Sequence, residues 1–342
     1  MRQVREMSRM ATEMAEQPTA LAALIERRTE IEASVAAVAP RPLAGTVLVA
    51  RGSSDHAAAG GRYLLEMASG RPTALGSPSI TSRYGASIDF SGYLVIALSQ
   101  SGQTPEISDY LARARAAGGV GIAITNDAGS PLADAADLTI DLATGPERAV
   151  PATKTVTAEM LALIMVAGAL GQGPVDLDRL EELPAQVAAV LADQGAAEAV
   201  AAQLASAARI LTVARGILQG AALETALKIE EITGKMVASH SAADFLHGPI
   251  AIADADLPVI AFDSPGPTHT DVAELVGKLR ARGCAVHVAG PDPSAELPLP
   301  AAPEPLASIL GVVRGQQIAS SLAALLDLDP DRPAGLTKVT VT

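Results

Sequence analysis

The chain has 342 residues, of which 49% are hydrophobic and 18% charged, so it is long enough for two domains with buried cores and too apolar to be disordered. A net charge of −13, together with only four tyrosines, three phenylalanines and no tryptophan, argues against a nucleic-acid partner, because such partners are bound by clustered Lys and Arg and by aromatic stacking. No run approaches the ~20 apolar residues of a membrane span, the N-terminus lacks the apolar core of a signal peptide, and the single cysteine, Cys284, permits no internal disulfide. We therefore expect a cytoplasmic protein.

Strands and helices alternate along the chain. The predicted elements are an amphipathic helical segment over 1–38 broken near Pro18, a strand over 46–50, a helix over 55–67, a strand over 93–98, a helix over 105–117 and a strand over 120–125. Strands that alternate with helices of 10 to 15 residues indicate parallel βαβ units.

The same order of elements begins again at Ile210. Val49–Gly52 recurs as Val213–Gly216, and Val95–Ala97 recurs as Val259–Ala261, both 164 positions later. Beyond that point the second copy is one residue out of register. An internal repeat of this length predicts a duplicated α/β unit, that is, two tandem, doubly wound parallel-sheet domains. The predicted segments are an N-terminal helical segment over 1–38, a first domain over 39–172, a helical connector over 173–207, a second domain over 208–326 that ends in a helix of about 304–326, and a C-terminal tail over 327–342.

Two hydroxyl-rich loops follow strands of the first copy, at Arg51–His56 and Ser99–Thr104. Ligands of open α/β sheets bind outside the carboxyl ends of the strands, and a helix N-terminus there attracts anions. Thr104 is a predicted N-cap, with Pro105 at the first helical position. Neither loop has the Gly-Lys-Ser/Thr of a nucleotide P-loop, so the pattern favours a phosphomonoester over a triphosphate. The alternative is that both are serine-rich turns with helix caps.

Glu224, Lys228 and Glu231 have i, i+4, i+7 spacing and share one face of a predicted helix in the second copy. Such spacing is also typical of a surface ion-pair row. At the corresponding positions the first copy has Gly60, Leu64 and Met67. A face that is apolar in one copy and charged in the other favours a site. Burial there would raise a carboxylate pKa and suit it to proton transfer at carbon.

His247 lies in a turn with Gly248 and Pro249, where it is either a structural residue or part of a functional loop. Lys338 lies near the C-terminus, and its position alone indicates no function. The spacing of the other histidines, at positions 56, 240, 269 and 287, is not that of a metal site, so no metal is predicted.

These motifs together resemble a known family. They are Arg51–His56, Ser99–Gly102, Ala152–Lys154, Phe245–Pro249 and the tail Gly335–Lys338. The chain is similar to the paired sugar-isomerase (SIS) domains of the isomerase half of glutamine:fructose-6-phosphate aminotransferase. It resembles still more closely the stand-alone glucosamine-6-phosphate deaminases built on that fold. The similarity covers nearly the whole chain, from Glu13 to Lys338.

The resemblance implies a role for each motif and no cofactor. The phosphate of the substrate would be held by Ser53, Ser54, Ser99, Gln100, Ser101 and Thr104, and the rest of the sugar would lie near Val150, Ala152 and Glu224. Glu231 would move a proton between C1 and C2, supported by Lys228. His247 would open the sugar ring from the partner subunit of a homodimer, and Lys338 matches a lysine that forms an imine in the aminotransferase.

The aminotransferase obtains ammonia with a cysteine nucleophile on an extra N-terminal domain, whereas this chain begins at Met1. We therefore expect the sugar chemistry to run towards ammonia release, as a deaminating isomerisation in amino-sugar catabolism. The alternatives are a deglycase for phosphorylated fructose-amino acids, an aldose–ketose phosphate isomerase, a sugar-phosphate sensor and a structural assembly protein. Residues 1–38 are too few and too acidic for the DNA-binding domain that a sensor normally carries.

Overall fold

The computed structural model describes residues 7–171 and 177–338, which form two compact units. The N-unit comprises Thr19–Gly145 and Thr155–Leu183, and the C-unit comprises the described residues up to Pro18, Pro146–Lys154 and Pro184–Lys338. Three parts of the predicted segments lie outside the described residues: the start of the helical segment (1–6), the boundary near 172, and the end of the tail (339–342).

The N-unit contains a five-stranded parallel sheet of order β2-β1-β3-β4-β5. Its strands are β1 Gly45–Val49, β2 Thr73–Leu75, β3 Tyr93–Leu98, β4 Val120–Thr125 and β5 Leu138–Asp141. The central strands are buried almost throughout, as expected for parallel strands covered by helices on both faces.

The C-unit repeats this arrangement with the order β10-β9-β8-β6-β7, again fully parallel. Its strands are β6 Arg209–Ala214, β7 Met236–Ser241, β8 Val259–Phe262, β9 Val286–Gly290 and β10 Leu297–Pro298. When β6 is matched to β1 and the others follow in chain order, the two sheets have the same topology.

The strand pairing preserves the repeat found in the sequence. Val47 pairs with Val95, and Leu211 pairs with Val259, so both partners recur 164 residues later. The offset ends where the sequence places its end, because Val95 pairs with Gly121 whereas Val259 pairs with Val286. The predicted fold class, two tandem doubly wound parallel-sheet domains, is confirmed.

The helices are α1 Arg9–Ala15, α2 Gln17–Glu26, α3 Arg28–Val38, α4 Ser53–Ser69, α5 Ser79–Ser82, α6 Pro105–Ala116, α7 Pro131–Asp134, α8 Lys154–Leu170, α9 Leu183–Ala192, α10 Gln194–Leu204, α11 Gln219–Thr233, α12 Ala242–Leu246, α13 His269–Ala281 and α14 Glu304–Leu325. Short 3-10 turns occupy Leu177–Glu182, Gly216–Leu218 and Pro249–Ile252. Within the described ranges, no helix has both the length and the apolar composition that crossing a bilayer requires.

Glycines on α14 allow α11 to approach it closely. A Cβ added at Gly315 would lie 2.0 Å from Oγ1 of Thr225, and one added at Gly311 would lie 3.1 Å from Cβ of Ala221. The two helices therefore meet almost backbone to backbone on this side. This contact fixes α11, which carries the charged face predicted from the sequence.

Candidate functional site

The two hydroxyl-rich loops lie at the switch point of the N-unit sheet. The chain runs from β1 outward to β2 and then crosses back to β3, so the carboxyl ends of the adjacent strands β1 and β3 open into loops that run in opposite directions. Open α/β sheets bind ligands at this kind of position. An ion pair of 2.7 Å between Nη2 of Arg51 and Oε2 of Glu106 links the loop after β1 to the first turn of α6.

The loop after β3 orients two of its hydroxyl groups. Oγ of Ser99 accepts the N–H of Gly102 at 3.2 Å, and Oγ of Ser101 accepts the N–H of Gln103 at 3.2 Å. A hydroxyl that accepts in this way keeps its own hydrogen for donation. Gly102 has φ +62°, and a Cβ there would lie 2.0 Å from Oγ of Ser130, so only glycine fits this turn.

Thr104 occupies the predicted N-cap position, but its side chain makes no capping bond. Pro105 follows at the first helical position, as predicted. Gln100, Ser101 and Thr104 are half-buried, while Ser99 is buried with 8% of its surface exposed. The loop therefore presents partly accessible polar groups at the N-terminus of a twelve-residue helix, an arrangement suited to an anion.

The loop after β1 differs from the loop after β3, because one of its hydroxyl groups donates its hydrogen to a buried carboxylate. Ser53 and Ser54 form the first turn of α4, but the hydroxyl of Ser54 donates to Oε1 of Glu159 at 2.8 Å. Glu159 is on α8 and only 1% exposed. Burial raises the pKa of the neighbouring Asp55 against the attraction of His56 and Arg51. The sequence marked Ser54 as a phosphate ligand but gave no sign of the carboxylate behind it.

The equivalent edge of the C-unit carries carboxylates instead. Asp263 follows β8 and contacts Nδ1 of His269 at 2.8 Å, while Ser264 donates its hydroxyl to the carbonyl of Ala302. Oε1 of Glu304 accepts the hydroxyl of Thr268 at 2.6 Å, close to Gly266. Negative charge and internally bonded hydroxyls make this edge unsuited to an anion, so the two copies differ at the position of the hydroxyl-rich loops.

The charged face of α11 is buried. Lys228 and Glu224 are each 1% exposed, and Nζ of Lys228 lies 3.4 Å from Oε1 of Glu224 and 2.5 Å from Oε2 of Glu231. The side chain of Glu231 is 21% exposed. These three residues do not form a surface ion-pair row, because only the last has appreciable access to solvent.

Two opposing effects act on the pKa of Lys228. Burial alone would lower the pKa of its ammonium, but the adjacent carboxylates of Glu224 and Glu231 outweigh burial and raise the pKa above its usual value. Lys228 is therefore a fixed positive charge between two carboxylates.

A cavity of about 450 Å³ lies at the C-terminal end of α11. Glu230 and Glu231 line it on the helix side, and the tail lines it from Leu328 to Leu336, with Arg332 among the tail residues. Glu231 is thus the member of the α11 cluster that contacts both the buried lysine and an open volume. That position suits a group that exchanges protons with a bound molecule.

The tail lysine is held by a buried carboxylate that the sequence did not mark. Nζ of Lys338 lies 2.8 Å from Oε2 of Glu147, whose side chain is fully buried and whose Oε1 accepts the N–H of Thr153 at 2.9 Å. Val150 and Ala152, two predicted sugar contacts, are half-buried in this loop. The C-unit thus keeps Lys338 beside the segment that carries them.

A second buried carboxylate fixes the same loop. Glu13 of α1 accepts the backbone N–H of Arg148 at 2.5 Å and that of Ala149 at 3.2 Å. Burial raises the pKa of Glu13, although these backbone bonds act in the opposite direction. Lys154, at the end of the loop, is 1% exposed and bonds to Glu16. Anchors on both sides make the loop a fixed element.

His247 lies apart from these clusters. It is exposed at the C-terminal end of α12, directly before Gly248, whose φ is +130°. In the described part of the chain no hydrogen bond or ion pair connects it to Glu231 or Lys228. Its predicted role across a dimer interface remains a prediction.

Replacing Glu147 by Gln should loosen the tail. The amide keeps the bond from Thr153 but loses the charge that holds Lys338, and a hydrogen bond to a charged group contributes about 1.5–3 kcal/mol. Hydrogen exchange at the amides of 334–338 should therefore become at least about tenfold faster. The control is Glu182→Gln, which breaks an exposed pair with Arg179. Equal protection of the tail in both variants would contradict the anchoring role of Glu147.

Comparison with known proteins identifies the family. The model of the SIS domain matches residues 46–169 and 203–289, one segment in each copy of the repeat. The glutamine–fructose-6-phosphate aminotransferase of Methanothermobacter thermautotrophicus is 33% identical over 303 residues, which are 86% of this chain and 51% of that protein. The corresponding enzyme of Thermus thermophilus is 32% identical over 97% of this chain and 58% of its own length. The chain thus spans about half the length of these curated relatives.

Solved structures show the same fold over nearly the whole chain. A protein from Silicibacter pomeroyi DSS-3, inferred to be a phosphosugar isomerase, superposes with a TM-score of 0.85 at 31% identity and covers 95% of this chain and all of its own. The glucosamine-6-phosphate deaminase of Thermotoga maritima superposes with a TM-score of 0.81 at 20% identity, over 98% of this chain and all of its own. On the strength of both matched segments, the chain belongs to the SIS-domain family.

Proposed function

We propose that this protein converts glucosamine 6-phosphate and water into fructose 6-phosphate and ammonia. The observation that carries the proposal is the α11 cluster, in which Glu231 contacts buried Lys228 and also faces a cavity. The hydroxyl groups of Ser99 and Ser101, which retain their hydrogens for donation, support a phosphate monoester as the substrate class.

Glu231 is the base of the proposed reaction. In the open-chain aldose it removes the proton from C2 while O1 gains a proton from solvent, which leaves an enolamine across C1 and C2. The same group returns its proton to C1 while the nitrogen releases one to solvent, which gives an imine at C2. Water adds to that imine, and ammonia leaves to give the ketose phosphate. Proton transfer by a positioned side chain typically contributes about 10²–10⁴-fold in rate.

Lys228 orients the carboxylate of Glu231. Its ammonium is 2.5 Å from Oε2 of Glu231, and Glu224 holds the lysine from the other side. We assign Lys338 a supporting role near the substrate, with Glu147 as its anchor.

We assign ring opening to His247, supplied by a second copy of the chain. Its exposure at the end of α12 and its position before a glycine of positive φ make it available to a partner. This assignment requires a homodimer, in which a chain that lacks His247 would complement one that lacks Glu231.

The proposal is tested by incubating the full chain with glucosamine 6-phosphate and measuring ammonia and fructose 6-phosphate together. Equal amounts of both products are expected. If the protein releases neither product but turns over a fructosamine 6-phosphate, it is a deglycase. Interconversion of aldose and ketose phosphates without ammonia would make it a simple isomerase, and phosphosugar binding without any turnover would indicate a sensor.

A further inference from the structure

Arg51 is a cation at the switch point of the N-unit, and the proposed phosphate contacts do not include it. Its side chain is 48% exposed, and its Nη2 lies 2.7 Å from Oε2 of Glu106. Nη1 donates a longer bond of 3.3 Å to the carbonyl of Ala50. A guanidinium has more N–H groups than these bonds use, and within residues 7–171 and 177–338 the side chain of Arg51 makes no other hydrogen bond or ion pair. Arg51 therefore has donors left for a ligand.

The strand register brings Arg51 to the loop that the phosphate would occupy. Val49 and Ala97 are paired near the ends of β1 and β3, and Arg51 and Ser99 each follow two residues later. The ion pair shows that the guanidinium reaches the first turn of α6, because Glu106 is in that turn. An anion at the N-terminus of α6 would therefore lie within reach of Arg51.

Glu106 is an internal anion at the same place. Its side chain is 15% exposed, its Oε2 pairs with Arg51, and its Oε1 accepts the hydroxyl of Ser82 at 3.1 Å. The N-terminus of a helix favours a negative charge, and Glu106 supplies one from within the chain. A phosphate dianion that binds there competes with Glu106 for the same guanidinium and is repelled by the charge of Glu106.

The C-unit has the same kind of ion pair without the hydroxyl-rich loop. Arg215 corresponds to Arg51 in the repeat, and its Nε lies 3.2 Å from Oδ2 of Asp271, in the first turn of α13. Both arginines therefore brace a loop against a helix, but the edge of the C-unit carries the carboxylates of Asp263 and Glu304. The bracing role is common to both copies, whereas Arg51 also lies beside a loop suited to an anion.

We propose that Arg51 is a ligand of the substrate phosphate and that it exchanges Glu106 for a phosphate oxygen when the sugar phosphate binds. A guanidinium can bind a phosphate through parallel N–H···O bonds, and a dianion attracts it more strongly than one carboxylate does. Glu106 thus sets a threshold, because an anion must outcompete it to gain the guanidinium. No covalent bond is made or broken in this exchange.

This inference rests on the proposed function only in taking a phosphate monoester as the ligand of these loops. The test is calorimetric titration of the full chain with fructose 6-phosphate at pH 8, where the phosphate is a dianion. Arg51→Gln should raise Kd about tenfold, because it removes a charge-assisted hydrogen bond. Glu106→Gln should instead lower Kd about three- to tenfold, because its amide still accepts the hydroxyl of Ser82 but no longer offers a charge to Arg51.

The matched controls are Arg215→Gln and Asp271→Asn, which break the equivalent pair of the C-unit and should leave Kd within about twofold of the wild type. Arg51→Lys serves where Arg51→Gln does not fold. It keeps the charge but not the planar fork, so its Kd should rise by about threefold.

Opposite shifts are decisive, because Arg51→Gln and Glu106→Gln break the same ion pair from its two sides. If both variants change Kd in the same direction, or if Arg51→Gln has no more effect than Arg215→Gln, the pair is only a brace and the inference alone fails. Opposite shifts without ammonia release from glucosamine 6-phosphate would support the inference and contradict the proposed function. If fructose 6-phosphate does not bind the wild type, both fail.

Discussion

Replacing Glu231 by Gln is expected to lower kcat for ammonia release from glucosamine 6-phosphate by about 10²–10⁴-fold, the usual contribution of a general base. Glutamine keeps the volume of the side chain and can still accept a hydrogen bond from Lys228, but it cannot take the C2 proton. Phosphate binding is assigned to other side chains, so the Kd for fructose 6-phosphate should change by no more than about threefold. Steady-state kinetics and calorimetry measure the two quantities separately.

The neighbouring residue provides the control. Glu230 lines the same cavity and carries the same charge, but its carboxylate accepts the N–H of Val237 and does not contact Lys228. Glu230→Gln should therefore leave kcat within about threefold of the wild type. The division of roles would be wrong if Ser101→Ala and Glu231→Gln weakened sugar-phosphate binding to the same extent.

Lys228→Met should be the most destabilising single substitution in the α11 cluster. It leaves Glu224 buried without its counter-ion and deprives Glu231 of its nearest positive charge. Removing one partner of a buried ion pair costs about 3–5 kcal/mol. Urea unfolding, monitored by circular dichroism, should show this loss of stability as a lower midpoint urea concentration.

Two further variants separate charge from packing. Lys278→Met removes an exposed lysine paired with Glu274, and such a pair contributes about 0–1 kcal/mol. The double variant Glu224→Gln/Lys228→Met should recover part of the loss, because it removes a stranded charge. The buried-pair explanation fails if Lys228→Met costs no more than Lys278→Met.

The stabilisation by the charge of Lys228 should decrease as the pH rises. Because the two carboxylates outweigh burial, the pKa of Lys228 is raised on folding, so the folded state holds that proton more tightly than the unfolded chain. The contribution is fully present below about pH 10.4, the ordinary lysine pKa, and is lost as the pH rises through the higher folded value. The stability difference between wild type and Lys228→Met should therefore narrow in strongly alkaline solution.

Local patterns predicted most of the fold. The strands over 93–98 and 120–125 are observed with those bounds, because each is a short apolar run between polar loops. The break predicted near Pro18 is observed at Glu16, between α1 and α2, but the first helical segment contains a second break that was not predicted. Pro18 lies in the first turn of α2, where its missing N–H costs nothing, and α1 ends at Ala15 before it. The separation of α2 from α3 at Arg27 has neither proline nor glycine to mark it.

The residues of the candidate site also differ in whether the sequence alone could identify them. The face of Glu224, Lys228 and Glu231 could be found from the sequence, because its members are within one helix. Glu147 and Lys338 are 191 residues apart, and Ser54 and Glu159 are 105 apart, so only the fold brings each pair together. A lone glutamate in the sequence is most simply interpreted as a surface residue, and nothing local distinguishes Glu147. The apolar run around Glu159 indicates burial but does not identify its partner.

Because the two sheets share one pairing register, a loop from the first sheet could replace the equivalent loop of the second. Since β6 and β8 align in the same way as β1 and β3, the backbone that supports Ser99–Thr104 is already present after β8. The obstacle to a second anion site is the local carboxylates, Asp263 and Glu304, and not the scaffold. The loop Ser99–Thr104, grafted after β8, would therefore be supported by strands that are already correctly paired.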